Sequence, residues 1–548
     1  MTNNYRREYE KWLAYEELDK ESYNELSVLD EGEIEDRFYK NLEFGTGGLR
    51  GVMGAGTNRM NIYTVRQATV GLARDIIKRE SDKKSRGVVI AYDSRNNSKL
   101  FARECAEVLS AYGIKNYLFE SLRPTPELSF AVRHLCASAG IVITASHNPK
   151  EYNGYKVYGE DGGQLPPDAA KRILSEINAV DIFEKLPTVS DSFTEIIGKE
   201  VDEAYYSAVT RESLGVSIPK DLSIIYTPLH GAGNIPVREV LSRIGVKSLK
   251  VIEAQEKPNG DFPTVGSPNP ENKEAFDLAI EFAKNNPSDV ILGTDPDSDR
   301  IGVVVPERDG SFTILNGNQT GTLLCEFICR KSAEQNKDMK NCRVVKTIVT
   351  TEMARIVAES YGAKCIDVLT GFKYIGDKIK EFEKSKEEYL FGLEESYGYL
   401  KGSYARDKDA VVASMLIAEL AAECKSRGIT LTEKLNELYE KYGYHKEKLL
   451  NFTFRGIEGS ERIKALMAYF RNEYAPSSLI SKKDYSLGID GLPKSDVMKF
   501  FFEDGFIAVR PSGTEPKIKF YVARVAKSTA ECDEKIAAFE KEIEKIAN

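Results

Sequence analysis

The chain has 548 residues, of which 41% are hydrophobic, 29% charged and 10% aromatic; it is long enough for several globular domains, and these values exclude a disordered, collagen-like or coiled-coil protein. With 76 Lys and Arg against 85 Asp and Glu the net charge is −9, and without basic blocks the chain is a poor binder of nucleic acid or of anionic membranes. Residues 1–8 lack the apolar core of a signal peptide, no apolar run reaches the ~18 residues of a bilayer span, and the eight scattered Cys suit free thiols in a reducing cytoplasm.

In chain order, acidic amphipathic helices are expected over the first ~40 residues, packed on the domain that follows. Three stretches then share one grammar. A strand and polar loop over 87–95, a helix over 98–112 capped by Gly113, and a strand over 114–119 form the first. The same order recurs at 221–233, 235–244, Gly245 and 246–252, and again at 341–350, 351–361, Gly362 and 363–368. Each reads as a β–α–β unit of a parallel sheet. In each repeat a further apolar strand, 139–144, 289–294 or 388–393, runs into a polar loop at its carboxyl end, where open α/β sheets bind ligands. The last stretch differs: strands over 506–510 and 517–525 flank a loop and precede a closing helix, as in a small antiparallel sheet. The predicted architecture is α/β, with three similar α/β domains of mixed, mainly parallel sheets and a smaller C-terminal α+β domain around a central cleft. Domain boundaries are expected at 1–205, 206–320, 321–440 and 441–548.

Four loops carry chemistry. Residues 144–149 (Thr-Ala-Ser-His-Asn-Pro) present Ser146 at the end of an apolar strand as a candidate nucleophile, although Ser and Asn also suit an ordinary turn. No G-x-S-x-G elbow is present, which argues against a hydrolase triad. Lys156 lies close downstream as a candidate acid/base or phosphate contact. Asp295, Asp297 and Asp299 alternate on a loop between apolar strands, where three crowded carboxylates repel without a cation. Three hard oxygens with open positions suit Mg²⁺ that also touches a phosphoryl group. The Gly and Glu of an EF-hand are replaced by Arg300 and Pro306, which disfavours calcium. Residues 510–517 combine Arg510, Ser512, Gly513 and Thr514, the parts of a phosphate cradle without P-loop spacing. Residues 392–398 place Glu394 and Ser396 where vicinal sugar hydroxyls could be bound. The Gly-rich 44–51 is not a dinucleotide fingerprint. Taken together, one loop per domain, these define a phosphosugar site in a four-domain cleft.

All four loops in this order resemble those of the α-D-phosphohexomutase superfamily, most closely its long bacterial phosphoglucomutases, and the likeness spans essentially the whole chain. The resemblance implies that Ser146 carries the transferred phosphoryl group with His147 beside it, and that Asp295, Asp297, Asp299 and the Ser146 phosphate hold one Mg²⁺ per chain. It implies roles for Lys156 as general acid/base, for Arg50 at the active site, and for Arg300 on substrate or phosphoserine. Glu394 and Ser396 match the sugar-hydroxyl contacts, Thr370, Gly371 and Lys373 the other recognition loop of the third domain, and Lys408 a phosphate-side contact. Arg510, Ser512, Gly513 and Thr514 match the phosphate-binding loop. The Glu-Glu-Ser-Tyr-Gly run at 394–398 departs from the Glu-Met-Ser-Gly-His of relatives acting on both mannose and glucose phosphates, which argues for glucose. The implied reaction moves a phosphoryl group between O1 and O6 of a hexose phosphate through a 1,6-bisphosphate, with glucose 1,6-bisphosphate as activator and the fourth domain closing on the substrate. Phosphomannomutase and phosphopentomutase activities are the alternatives with the same mechanism.

Overall fold

The computed structural model describes residues 4–45, 47–79, 82–187, 193–454, 456–512 and 517–547. Four sheets follow one another along the chain. The first holds β1 (Gly48–Val52), β2 (Val88–Tyr92), β3 (Asn116–Phe119), β4 (Ala139–Ile143), β5 (Tyr152–Gly159) and β6 (Thr194–Ile197) in the order β1-β5-β4-β2-β3-β6. The second holds β7 (Ser223–Thr227), β8 (Ser248–Val251), β9 (Val290–Thr294), β10 (Ile301–Pro306) and β11 (Phe312–Leu315) in the order β11-β10-β9-β7-β8. The third has β12 (Cys342–Thr347), β13 (Lys364–Val368), β14 (Glu388–Glu394) and β15 (Gly398–Lys401) in the order β13-β12-β14-β15.

Each of these sheets has a parallel centre and antiparallel strands at one edge. Parallel pairing predominates in the first and third sheets, while the second divides evenly, β7 being parallel to β8 and β9, and β10 antiparallel to β9 and β11. The central strands β2, β4, β9 and β12 are buried at every residue, as strands covered by helices on both faces must be. Their apolar runs therefore fix the sheet centres, and the loops after β4, β9 and β12 reach one cleft. The Gly-rich segment near the start of domain 1 contributes edge strand β1, which pairs with β5 and sets Arg50 opposite Gly154.

The fourth sheet is wholly antiparallel, in the order β16-β20-β19-β18-β17, built from β16 (Tyr444–Thr453), β17 (Ser481–Asp484), β18 (Met498–Phe502), β19 (Gly505–Pro511) and β20 (Lys517–Ala526), with helices Gly456–Asn472 and Thr529–Ala547. It meets the third domain through an apolar cluster in which Ile348, Val349 and Leu369 pack with Phe506, Ala508 and Tyr521. The first three helices (Asn4–Leu13, Lys20–Leu26, Glu31–Phe38) lie on domain 1 through Trp12, Leu26 and Phe38 against Tyr63. Among the described residues no helix is long and apolar enough to cross a membrane. The apolar stretch near 410–422 is helix Ala410–Ser426, buried between the domains and capped by Asp409, whose carboxylate accepts from Val411 N at 2.7 Å.

Candidate active site

Ser146 follows β4 and is 3% exposed. Its backbone is left-handed, with φ 53°, a conformation that L-residues avoid outside special turns. Its Oγ donates to Asp295 Oδ2 at 2.8 Å and lies 3.1 Å from His147 Nδ1. Burial first, then Arg300 and Arg50, hold the His147 pKa well below the usual imidazole range, so the ring is neutral. Arg50 reaches the same loop from β1, donating to Asn148 Oδ1 at 3.2 Å.

The loop after β9 places one oxygen each of Asp295, Asp297 and Asp299 within 4.8 Å of one another, all three residues buried. Backbone amides of Asp299 and Arg300 donate to Asp295 Oδ1 at 3.0 and 2.9 Å. Thr125 Oγ1 donates to Asp297 Oδ2 at 2.8 Å and Lys156 Nζ lies 3.0 Å from the same oxygen, while Lys408 Nζ is 2.9 Å from Asp299 Oδ2. Burial, then Asp299 and Asp297, push the Asp295 pKa well up. Burial would raise Asp297 too, but Lys156, Thr125 and Lys408 outweigh it and keep this carboxylate ionised. Three oxygens, Asp297 Oδ1 and both of Asp299, are buried with no hydrogen-bond partner among the described residues, Asp299 Oδ2 being ion-paired to Lys408. Buried, orphaned carboxylate oxygens in so tight a cluster fit a hard divalent cation such as Mg²⁺, whose charge would relieve both the desolvation and the mutual repulsion.

The loop is held from behind. Ala232 N donates to Pro296 O at 2.8 Å, and Gly231 lies so close that a Cβ there would meet Pro296 Cα at 2.5 Å.

A cleft of about 1100 Å³ borders these groups, reached by His147, Arg300 and Lys408. His147, Arg300, Thr370, Gly371, Lys373, Glu394, Ser396, Lys408 and Arg510 all line it. Glu394 at the end of β14 accepts from Gly371 N at 2.9 Å, and burial raises its pKa to about 7. Lys373 is 8% exposed and burial lowers its pKa. Arg510 is the penultimate residue of β19, and Ser512 N donates to Lys517 O at 2.7 Å across the base of the following loop. Gly513 and Thr514 lie outside the described residues.

Sequence reasoning missed several groups that the fold brings in. Thr125 begins helix Thr125–His134, and only the Pro on either side of it hinted at a helix start. Arg95 Nη2 donates to Ser146 O at 2.6 Å from the loop after β2, which the pattern identified as a strand end without a role. Glu271 pairs with Arg300, and Ser267 Oγ donates to His147 O at 2.9 Å; both sit in a Pro- and Asn-rich loop with no motif. Glu447, Lys519 and Tyr521 line the cleft from strands of the fourth sheet.

Residues 41–182, 203–310, 316–442 and 457–545 match, in order, alpha/beta/alpha domains I, II and III and the C-terminal domain of phosphoglucomutase/phosphomannomutase. The chain is 38% identical over 534 residues to a phosphoglucomutase of Staphylococcus epidermidis, covering 91% of this chain and 96% of the relative. It is 36% identical over 550 residues to a phosphoglucomutase of Staphylococcus aureus, covering 96% and 98%. Among solved structures, parafusin of Paramecium in an open form superposes with TM-score 0.70 at 19% identity, over 93% of this chain and 96% of that one. A phosphoglucomutase/phosphomannomutase family protein of Burkholderia thailandensis gives 0.69 at 19% identity, over 92% and 97%. These two share the fold.

Proposed function

Since the chain belongs to the phosphoglucomutase/phosphomannomutase family, we propose that it is an isomerase interconverting α-D-glucose 1-phosphate and glucose 6-phosphate through phospho-Ser146 and a glucose 1,6-bisphosphate intermediate. The observation that carries the reading is the 2.8 Å hydrogen bond from Ser146 Oγ to Asp295, which joins a candidate nucleophile to the buried carboxylate set. The phosphoglucomutase relatives at 36–38% identity support glucose as the sugar.

In the proposed cycle the free hydroxyl of the bound sugar attacks the phosphorus on Ser146. The new O–P bond forms as the Ser146 Oγ–P bond breaks, and the hydroxyl proton passes to a neighbouring base. His147 contacts Ser146 Oγ directly, and Lys156 and Lys408 pair with the Asp loop beside it. The bisphosphate then turns over in the cleft, and its other phosphoryl group returns to Ser146 by the reverse step. Asp295, Asp297, Asp299 and Ser146 are the residues that would hold Mg²⁺, which when bound neutralises charge on the phosphoryl oxygens. Glu394 and Ser396 bind sugar hydroxyls, with Thr370, Gly371 and Lys373 beside them. Lys408 and the Arg510–Thr514 loop hold the phosphate that is not being transferred, and Arg50 and Arg300 flank the phosphoserine. Such positioning supplies on the order of 7–11 kcal/mol of the barrier reduction. The domain limits at 205, 320 and 440, closure of the fourth domain over the substrate, and bisphosphate activation belong to the same proposal. A cytoplasmic setting is supported by eight unpaired cysteines, seven of them buried.

The test is a coupled assay of glucose 1-phosphate conversion with Mg²⁺ and a trace of glucose 1,6-bisphosphate, with mannose and ribose 1-phosphates in parallel. Bisphosphate-stimulated turnover on glucose supports the reading. Preference for mannose or ribose replaces the substrate and keeps the mechanism, and release of free phosphate alone overturns the mutase.

A further inference from the structure

Both main-chain polar groups of Ser146 are tied down from the loop that leaves β2. The Arg95 side chain is fully buried, and its Nη2 donates to the carbonyls of Ser146, at 2.6 Å, and Asn148. Nη1 donates to the carbonyls of Pro149 at 2.8 Å and Tyr152 at 3.0 Å. Four carbonyls, three of the loop after β4 and one from the first residue of β5, thus converge on a single guanidinium, whose rigid planar fork can serve them where a compact ammonium cannot. On the other side, Ser146 N–H donates to Thr144 Oγ1 at 2.8 Å, and that hydroxyl donates to Asp93 Oδ2 at 2.6 Å. Asp93 Oδ1 accepts from Arg95 N at 2.9 Å and from Ser98 Oγ at 2.7 Å, and its Oδ2 lies 3.3 Å from Arg95 Nε. The Phe262 ring of the second domain covers the guanidinium at 5.1 Å.

These bonds surround the one residue of the loop in the left-handed region, Ser146. We propose that Arg95, backed by Asp93, is a positioning residue for phosphoryl transfer: it holds Ser146 in the conformation that aims Oγ at the Asp loop, so that the oxygen occupies the same place in both half-reactions. Its four side-chain hydrogen-bond partners are all main-chain carbonyls, and it acts through Ser146 without touching the sugar. The proposal rests on Ser146 being the phosphoryl carrier. In-line transfer is steeply sensitive to placement, a 1 Å error being worth about 10²-fold in rate.

The experiment compares wild type, Arg95→Lys, which keeps the charge and removes the fork, and Thr144→Val, which keeps the guanidinium and removes the acceptor of Ser146 N–H. For each, kcat and KM for glucose 1-phosphate are measured together with hydrogen exchange of residues 144–152 and of a reference helix, 410–426. Arg95→Lys is expected to lower kcat about 10²-fold with KM within threefold, and to speed exchange at 144–152 but not at 410–426. Thr144→Val is expected to shift both readouts in the same direction by less. A kcat within threefold of wild type, a change confined to KM, or equal loss of protection in both segments overturns the proposal. Should Arg95→Lys fail to fold, Thr144→Val decides, since unchanged kcat with unchanged loop exchange refutes the clamp. A wild type inactive on glucose 1-phosphate sinks the proposed function instead, and the exchange comparison still reports whether Arg95 holds the loop.

Discussion

Ser146 Oγ donates to Asp295 Oδ2 at 2.8 Å, joining the carboxyl ends of β4 and β9, strands of two different sheets. The contact makes the proposed nucleophile and the carboxylate set one unit across a domain boundary. Ser146→Ala removes the oxygen proposed to carry the phosphoryl group and leaves the three carboxylates in place. Turnover is expected to fall by about 10⁴-fold or more, with cation binding still measurable by calorimetry. Incubation with glucose 1,6-bisphosphate should add a phosphoryl mass to the wild type and none to the variant. Substantial residual turnover removes Ser146 as the carrier.

Gly231 backs the Asp loop so closely that any side chain must displace Pro296, whose Cα, C and O would all lie within 3 Å of a Cβ at this position. Backbone atoms cannot swing aside as a flexible side chain does, so Gly231→Ala should move the carboxylates rather than the β7 loop alone. A 10–100-fold weaker affinity for Mg²⁺ is expected at nearly unchanged global fold, the scale typical of groups that orient ligands. Equal affinities by titration would show that the loop accommodates the methyl group.

Glu394 is a carboxyl whose pKa burial raises to about 7 from the usual 4.5. A carboxylate accepts two sugar hydroxyls only when ionised, so kcat/KM should fall about tenfold per pH unit below pH 7 as the free enzyme takes up this proton. Glu394→Gln should erase that acid limb and lower the plateau above pH 8 by about 10–100-fold, matching loss of a hydrogen bond to a charged group worth about 1.5–3 kcal/mol. An acid limb that persists unchanged in the variant belongs to another group.

The site was legible where chemistry and strand pattern coincide. Ser146, Asp295 and Glu394 each follow a continuous apolar strand, so the sequence itself placed them at sheet ends. The convergence of those ends depends on how whole sheets pack, as in the Thr125–Asp297 contact between the first and second domains, and no local spacing encodes that. Arg95 was hidden because a buried arginine serving carbonyls reads in sequence as a polar loop residue. Glu271 was hidden because its partner, Arg300, is close only through a loop without periodicity. In the fourth domain the strands around Arg510 were readable, whereas β16, alternating and half-exposed, carried too weak an apolar pattern to announce Glu447.

Trp12 is the only tryptophan in the chain and is completely buried by Phe38, Tyr63 and Phe183, with ring centroids 5.2–5.8 Å apart in edge-to-face geometry. Three of its neighbours come from different segments, so this ring pins the N-terminal helices onto domain 1. Deleting it leaves a cavity that the surrounding aromatic rings, already locked edge to face, fill poorly. Trp12→Ala should destabilise the attachment of residues 4–38 by about 3–5 kcal/mol, read as faster hydrogen exchange there, with kcat unchanged below the melting transition. In the wild type, a red shift of the single-tryptophan emission in urea should coincide with loss of that protection. Emission that shifts long before protection is lost would mean that the helices are anchored by something other than this ring.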